Sequence, residues 1–306
     1  MFIISEIIMN HEREDSGVHI FSADVNQNNI GFIKKMSVNL GLAPGGAGPG
    51  SDQAIATAYN GEVAFYGELP AADFITGDQL ASEIGLTAGT SQNSNTEWLK
   101  FGYIPSESDT AESKARTLFR PKKAIRNSLS WDDIYTANAV YGGYYESNHY
   151  DTTGSIVTPQ TPATVTVDGN QYIVRLMRSH ITNDLSRTAQ WHPESEYSRI
   201  MMSIHQGALD CANYGWYTAD NVDCAKLESL NHSLGTGTDG MYTDEDLLLY
   251  YEFGDGNRPW QIEVSNTNGS ERLLRGSSGV SRLFCSTIGY SSIFLGWFPL
   301  LELIED

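Results

Sequence analysis

Two alternating runs of residues joined by an Asp-Gly pair constrain the fold of this chain more than any other segment. Apolar and polar side chains alternate from Thr164 to Val167 and again in the stretch that ends at Leu176. This period is typical of strands that bury one face. Asp168-Gly169 lies between the two runs, and this dipeptide favours a two-residue hairpin turn. The sequence therefore predicts a β-hairpin over residues 164–176.

Short strand and helix signals follow one another along the rest of the chain. Capping residues predict short helices that begin at Thr76, Ser130 and Thr243, and Gly85 is expected to end the first of them. Helical spacing of apolar residues after Pro193 predicts a further helix that buries one face. Strands are predicted at Glu62–Tyr66, Trp98–Tyr103, Thr117–Phe119, Trp260–Val264, near Leu273 and at Trp297–Leu303. This order of short elements indicates an α+β fold rather than a parallel, doubly wound sheet.

The N-terminal part of the chain is predicted to be a separate, β-rich piece. Residues 1–36 contain alternating apolar positions and the turn-rich segment 26–29, which fits a short hairpin or a docking arm. Glycine and proline make up six of the nine residues 42–50, and neither residue type sustains a helix or a central strand. We interpret this second segment as a linker.

The charge of the chain excludes several classes of partner. Thirty-eight acidic and nineteen basic side chains give a formal charge of −19, which repels phosphate backbones and anionic lipid headgroups. We therefore expect no nucleic-acid partner. The first residues lack the features of a signal peptide. No uninterrupted apolar run approaches the roughly 18 residues of a membrane span, so none is expected.

The sequence indicates neither catalysis nor a cofactor. Its seven histidines show no metal-ligand spacing, and it contains no P-loop, nucleophile elbow or dinucleotide fingerprint. Three cysteines, Cys211, Cys224 and Cys285, form no disulfide framework and are expected to be reduced. Acidic residues between Asp239 and Glu263 do not follow the spacing of a calcium-binding loop, so a solvated acidic face is favoured over a metal site.

The stretch from Arg272 to Ile304 has the composition of a contact surface, although a plain surface loop is the alternative. Apolar residues and an Arg-Gly pair open it, and between its ends lie Ser, Thr and Gly with isolated large side chains. Small residues adapt to a partner, whereas large ones anchor it. The predicted contact residues are Arg282, Phe284, Tyr290 and Phe294. The residues of this stretch that are predicted to lie in the core are Trp297, Leu300 and Leu303.

A series of short motifs runs in order from about residue 60 to the end of the chain. Its members include Gly67–Pro70 (GELP), Ile84–Thr90 (IGLTAGT), Arg120–Arg126 (RPKKAIR), Ser130–Ile134 (SWDDI) and Tyr172–Met177 (YIVRLM). The series resembles a family of tailed-bacteriophage virion proteins, which are tail-fibre or other particle-surface components. The order of the motifs is more specific than any one of them.

Four later motifs resemble a second pattern. They are Tyr242–Leu247 (YTDEDL), Trp260–Glu263 (WQIE), Leu274–Gly276 (LRG) and Gly296–Pro299 (GWFP). Together they resemble a C-type-lectin-like fold of the kind related to formylglycine-generating enzymes and to retroelement-diversified phage receptor binders. That resemblance implies that residues 277–295 are displayed on one face. Relatives commonly have Arg where this chain has Phe298, so an apolar side chain replaces an expected polar contact.

These resemblances imply a domain organisation and a function. Position and composition make residues 1–50 an arm and linker that attach to other virion proteins, followed by a small α+β domain at 51–130 and a C-type-lectin-like domain at 131–306. The implied function is that of a non-enzymatic fibre or decoration subunit in the virion, whose C-terminal domain binds a bacterial surface glycan or protein. By analogy with phage fibres we expect a homo-oligomer, with a trimer favoured.

Two other readings of the resemblance remain open. In the first, the chain is a purely architectural virion subunit whose C-terminal face contacts other particle proteins. In the second, it is a glycan-active enzyme, which needs two carboxylates that face a cleft. The related formylglycine-generating enzymes use two late cysteines, whereas this chain has Cys285 alone in that region.

Overall fold

The computed structural model describes residues 44–105, 114–142, 149–150, 156–157, 161–179, 195–205, 242–249, 256–264, 270–276, 280 and 283–305. All structural statements below concern these residues, which belong to one compact unit that spans residues 43–306. Their architecture is mixed, rich in sheet and poor in helix, which agrees with the predicted α+β class. The arm predicted over residues 1–36 lies outside the described residues.

Two sheets contain most of the described strands. In chain order the strands are β1 (Ala56–Ala58), β2 (Val63–Leu69), β3 (Thr90–Ser91), β4 (Trp98–Tyr103), β5 (Arg116–Pro121), β6 (Arg126–Asn127), β7 (His149–Tyr150), β8 (Ile156–Val157), β9 (Thr164–Val167), β10 (Asn170–Arg175), β11 (Arg258–Val264), β12 (Glu271–Arg275), β13 (Leu283–Thr287), β14 (Leu295–Trp297) and β15 (Leu300–Leu303). Seven form an antiparallel sheet in the order β1-β2-β4-β5-β15-β10-β9. Six form a second sheet in the order β13-β12-β11-β14-β6-β3, in which β11 and β14 run parallel.

The seven-stranded sheet joins strands from both sides of residue 130, where a domain boundary was expected. β5 pairs with β15, and β15 pairs with β10. The second sheet likewise combines β6 with β14. Residues 51–130 and 131–306 therefore do not form separate sheets, because hydrogen-bonded neighbours in each sheet come from both parts of the sequence.

The predicted hairpin is confirmed. Its strands β9 and β10 pair antiparallel, with Val167 opposite Asn170. Asp168 and Gly169 form the turn at positive φ values of 50° and 83°, which match the right-handed twist of the strands that the turn connects. β10 then pairs with β15, so this local signal also places the hairpin at one edge of the seven-stranded sheet.

The helices predicted at Thr76 and Ser130 are present, and each begins with a capping box. Helix α1 (Gly77–Glu83) follows Thr76, and helix α2 (Trp131–Thr136) follows Ser130. In each, the cap hydroxyl accepts a hydrogen bond from the N–H of the third helical residue, whose side chain accepts one from the cap N–H in return. This exchange satisfies donors that a helix start leaves unpaired. Gly85 has a φ of 71° just after α1, and it ends that helix as predicted.

The two other helix predictions need correction. Thr243 and Asp246 exchange the hydrogen bonds of a capping box, but turns follow instead of a helix, and Leu248 has a φ of 53° that helical geometry does not allow. Residues 196–204 are helical and include a π-helix at Ser198–Met202. This segment is buried all round rather than on one face, because it lies inside a hydrophobic cluster with strands of the first sheet.

Both faces of the seven-stranded sheet are buried. Successive residues of a strand point to opposite faces, and Leu118 and Phe119 belong to two different hydrophobic clusters, as do Leu300 and Leu301. One cluster includes residues of α1, α2 and the second sheet, and the other includes the helical segment 196–204. Every residue of β4 and β5 is buried, so these strands form the centre of the fold.

The last predicted strand, Trp297–Leu303, is two strands that belong to different sheets. β14 ends at Trp297 in the six-stranded sheet, and β15 begins at Leu300 in the seven-stranded one. Pro299 between them has no N–H to donate and restricts the residue before it, so neither ladder continues through it. Trp297, Leu300 and Leu303 are 0%, 0% and 8% exposed, which confirms them as core residues.

The Gly/Pro segment is packed on the seven-stranded sheet from Pro44 onwards. Tyr66 donates a hydrogen bond to the carbonyl oxygen of Pro44 at 2.8 Å, and Lys100 donates to other carbonyl groups of the segment. Gly102 permits this approach, because a Cβ atom on it would lie 1.4 Å from the carbonyl oxygen of Pro44. Residues 44–50 are therefore not the free linker that their composition indicated.

An ion-pair network is buried beside the second cluster. Arg175 donates to both oxygens of Glu196, at 2.6 and 2.8 Å, and to Oε2 of Glu302 at 2.9 Å. The other oxygen of Glu302 lies 3.5 Å from Nε of Arg116. All four side chains are at most 4% exposed. The network connects β5, β10 and β15 to the helical segment 196–204.

Aromatic rings cover several other buried guanidinium groups. Arg272 lies 4.2 Å from the ring centre of Trp131, and Arg275 lies 4.5 Å from that of Tyr197. Such contacts stabilise a cation through the ring quadrupole, and more strongly where water is excluded. They help this fold to accommodate arginines in its interior.

We expect Glu196→Gln to lower the free energy of unfolding by about 3 to 5 kcal/mol, because the buried Arg175 loses a charged partner. Urea unfolding of the wild type and the variant measures this change. Glu68→Gln is the matched control, since Glu68 pairs with Lys122 at a partly exposed position, where loss of a pair costs less than about 1 kcal/mol. Equal losses in the two variants would contradict the central role of Arg175.

The same network predicts a loss of stability in acid. Burial by itself raises the pKa of Glu196, but the charge and hydrogen bonds of Arg175 outweigh it and bring the pKa below its ordinary value. The folded pKa lies below the unfolded one, so this stability is present above about pH 4.3 and is lost as the pH falls through the folded pKa. We expect unfolding free energy to fall less steeply below that pH in Glu196→Gln than in the wild type.

Candidate functional site

The four residues predicted to form a contact surface occupy different environments. Arg282 lies outside the described residues. Tyr290 is 53% exposed in the loop that follows β13. Phe284 and Phe294 are half-buried. One of the four thus lies on open surface, while the two phenylalanines are partly enclosed.

Phe284 and Phe294 share a contact with Arg258. Their ring centres lie 4.9 and 5.4 Å from the guanidinium carbon of Arg258, which is within the range of a cation–π contact. Phe284 is on β13, and Phe294 directly precedes β14. Through Arg258 of β11, the contact therefore connects β13, which precedes the loop 288–294, with the last residue of that loop.

The loop 288–294 has a backbone that is held by neighbouring elements. It receives hydrogen bonds from the start of α2, from the residues before α2 and from the start of β11. These bonds are Asp132 N to Ile288 O (3.1 Å), Ser128 N to Ser292 O (3.1 Å), Gly256 N to Ile293 O (2.7 Å) and Arg258 N to Phe294 O (2.9 Å). Four anchors in seven residues fix the path of the loop before any partner is present.

Two large apolar side chains of this anchored loop are exposed. Tyr290 is 53% and Ile293 is 54% exposed, and they lie three residues apart. Among the described residues, the other large hydrophobic side chains with comparable exposure are Ile55 and Ile304, which lie elsewhere in the sequence. Apolar side chains on a preformed backbone bind a partner with a small loss of conformational entropy. The loop therefore has the physical properties of a contact site.

The segment that contains the loop carries no charge. No Asp, Glu, Lys or Arg occurs between Leu283 and Leu301, in a chain with a formal charge of −19. A carboxyl group lies on the neighbouring helix start at Asp132, where burial, followed by the charge of Asp133, raises the pKa. The loop thus offers a neutral contact within an acidic molecule.

Val280, in the segment expected to be displayed, residues 277–295, is anchored in the core. Val280 is 1% exposed. Its carbonyl oxygen accepts a hydrogen bond from Tyr197 Oη at 3.0 Å, and its N–H donates to Asp244 Oδ1 at 2.7 Å. Asp244 Oδ1 also lies 3.0 Å from Nε2 of His205. Within the described part of this segment, exposure concentrates in the loop after β13 rather than along its whole length.

The described residues contain no group of three or more His, Cys, Asp or Glu side chains that could hold a metal ion. Cys285 lies half-buried on β13, and Cys211 and Cys224 lie outside the described residues. No helix in the described part of the chain is long and apolar enough to cross a membrane. The chemistry that the loop 288–294 offers is stacking and apolar contact.

The chain matches no protein-family model, and no curated protein or solved structure is significantly similar to it. The resemblance to tailed-phage virion proteins therefore depends on the ordered motifs in the sequence. The geometry of the loop 288–294 does not depend on that resemblance, because it follows from exposure and hydrogen bonding alone.

Sequence reasoning missed two residues of this site, Ile293 and Arg258. Ile293 stands in an apolar triplet with Phe294 and Leu295, and no alternating pattern there separates outward from inward side chains. Arg258 meets the two phenylalanines because strand pairing brings β11, β13 and β14 into one sheet. No local sequence pattern reveals this pairing. The absence of charge between Leu283 and Leu301 is the sequence signal that could have indicated the loop.

We expect Tyr290→Ala to change the free energy of unfolding by less than about 0.5 kcal/mol, since its ring is mostly exposed. Trp297→Ala, a few residues along the chain, is expected to cost about 3 to 5 kcal/mol, because it leaves a cavity in the core. Urea unfolding of the two variants side by side measures the contrast. A large loss in Tyr290→Ala would place its ring in the core and contradict its assignment to the contact surface.

Proposed function

We propose that this chain is a non-enzymatic virion protein of a tailed bacteriophage, a fibre or decoration subunit that binds a bacterial surface glycan or protein through the loop 288–294. In this proposal residues 1–50 attach the subunit to other virion proteins, and the protein is located in the virion. The proposed assembly is a homotrimer, by analogy with phage fibre and decoration proteins. The ordered motifs from residue 60 to the end of the chain support the particle-protein part of the proposal.

The observation that carries the binding role is the anchored loop with its exposed Tyr290 and Ile293. An aromatic face stacks on sugar rings or packs on apolar protein patches, and an aliphatic neighbour extends the area of contact. The loop backbone is held by four hydrogen bonds from other elements, so these side chains are preorganised. A particle carries many copies of a surface subunit, and avidity makes individually weak contacts effective.

We further propose a C-type-lectin-like arrangement for the C-terminal part. The motifs WQIE, LRG and GWFP fall on β11, on the end of β12 and on the end of β14, which are neighbouring strands of the six-stranded sheet. At Phe298, where relatives commonly have Arg, the chain departs from the resemblance. The guanidinium of Arg120 lies 4.4 Å from the ring centre of Phe298. Burial lowers the pKa of Arg120 to about 10, so it is still charged at neutral pH and makes a buried cation–π contact with this ring.

The test is binding of labelled full-length protein to a panel of intact bacterial strains. We expect strain-selective binding that the double variant Tyr290→Ala, Ile293→Ser weakens by about 1 to 4 kcal/mol, since the variant removes the anchors of the contact. The matched control is Ile304→Ser, which removes a side chain that is 38% exposed outside the loop. Near-ultraviolet circular dichroism confirms that each variant is folded.

Two results would contradict the proposal. Full binding by the folded double variant would exclude the loop as the binding site. Absence of binding by the folded wild type to every strain would favour the architectural alternative, in which the loop contacts a neighbouring virion subunit.

A further inference from the structure

Residues 44–51, here called the strap, are attached to the seven-stranded sheet through the ammonium group of Lys100. This side chain is 1% exposed. Its Nζ atom donates hydrogen bonds to the carbonyl oxygens of Gly46, Gly48 and Ser51 at 2.9, 3.4 and 2.8 Å. An ammonium group has three donors and no acceptor. The three carbonyl groups of the strap therefore use the whole hydrogen-bonding capacity of Lys100.

Aromatic side chains complete the site around Lys100. Its Nζ atom lies 5.4 Å from the ring centre of Tyr66 and 5.8 Å from that of Phe119. The Tyr66 hydroxyl donates to the carbonyl oxygen of Pro44 at 2.8 Å. Burial lowers the pKa of Lys100 to about 8, against the opposing effect of Asp52. The side chain is therefore mostly charged at neutral pH, and charge-assisted hydrogen bonds are the stronger kind.

Beyond these hydrogen bonds, the strap is held on the sheet by close backbone packing at its glycines and not by large side chains. Four of its eight residues are glycine, and the others are two prolines, one alanine and one serine, so it buries little apolar side-chain area. Among the described residues, no N–H group of the strap donates a hydrogen bond to the backbone of the sheet. The hydrogen bonds that attach the strap to the sheet are therefore accepted by its carbonyl groups and donated by Lys100 and Tyr66.

We propose that the ammonium group of Lys100 is what keeps the strap, residues 44–51, attached to the sheet. When this group is removed, the strap detaches while the sheet stays folded. The inference does not depend on the proposed function, because it concerns only how the strap is attached.

The test is limited proteolysis of the full-length protein with elastase, which cleaves after small residues such as Ala47. Intact-mass spectrometry identifies the cleavage site and follows its rate. We expect Lys100→Met to accelerate cleavage within the strap by about tenfold or more, because cleavage tracks the population of the open form. Cleavage elsewhere in residues 52–306 is expected to stay at the wild-type rate.

The matched control is Lys122→Met. Lys122 is mostly buried, with 17% of its side chain exposed, and it pairs with Glu68 instead of the strap. We expect this variant to leave the rate of strap cleavage within about twofold of the wild type. A second variant, Tyr66→Phe, removes the hydrogen bond to Pro44 and keeps the ring, so a smaller acceleration at the same site is expected.

Three outcomes would overturn the proposal. The first is wild-type strap cleavage in a folded Lys100→Met variant. The second is faster cleavage throughout the chain in Lys100→Met, or failure of Lys100→Met to fold. Either result would show that Lys100 stabilises the sheet itself and does not only attach the strap. The third is strap cleavage in Tyr66→Phe that is as fast as in Lys100→Met, which would show that the bonds to Lys100 are not the main attachment of the strap.

Discussion

Burial of both faces of the seven-stranded sheet is the constraint on which the rest of the structure depends. Charged side chains on its central strands cannot reach water, so each needs a partner inside the protein. Glu302 on β15 lies between Arg175 and Arg116, and Glu196 reaches Arg175 from the helical segment. Removal of one partner leaves a buried charge uncompensated. The network therefore fixes where the helical segment 196–204 packs against the sheet.

The passage from one sheet to the other determines how the loop 288–294 is held. The chain leaves the loop, forms β14 in the second sheet and passes Pro299 to become β15, which lies between β5 and β10. The backbone N–H of Ile125 donates to the carbonyl oxygen of Trp297 at 3.1 Å, so the chain is also tied to the segment before β6. The exposed side chains of the loop are thus only a few residues from the most buried strands. Their positions are set by the core, which is the condition for a preorganised contact.

The sequence was most informative where structure depends on neighbouring residues. The hairpin at Asp168-Gly169 and the caps at Thr76 and Ser130 follow from turn and capping chemistry within a few positions, and all three are present. The cap at Thr243 forms its hydrogen bonds without a helix, because a cap satisfies the first donors but does not make the following residues helical.

Longer-range features were not predictable in the same way. Glycine suits a free linker and a closely packed strap equally well, since both follow from its lack of a Cβ atom. What decides between them is Lys100, which is distant in sequence and gives no local signal. The all-round burial of residues 196–204 likewise depends on strands that pack against them from elsewhere in the chain. For the loop, the exposure of Ile293 depends on hydrogen bonds to β11 and to the residues before α2.

The distribution of charge explains why a neutral loop suits the contact role. At least eight basic side chains are buried, and the buried carboxylates among the described residues are three: Glu196, Glu263 and Glu302. The rest of the chain is therefore more acidic than the formal charge of −19 indicates. An acidic surface keeps copies apart and repels anionic partners such as bacterial envelopes. Repulsion between exposed charges is screened over about 8 Å in physiological salt, so a partner can reach the loop 288–294, which carries no charge. Contact at this loop depends on apolar and aromatic packing by Tyr290 and Ile293.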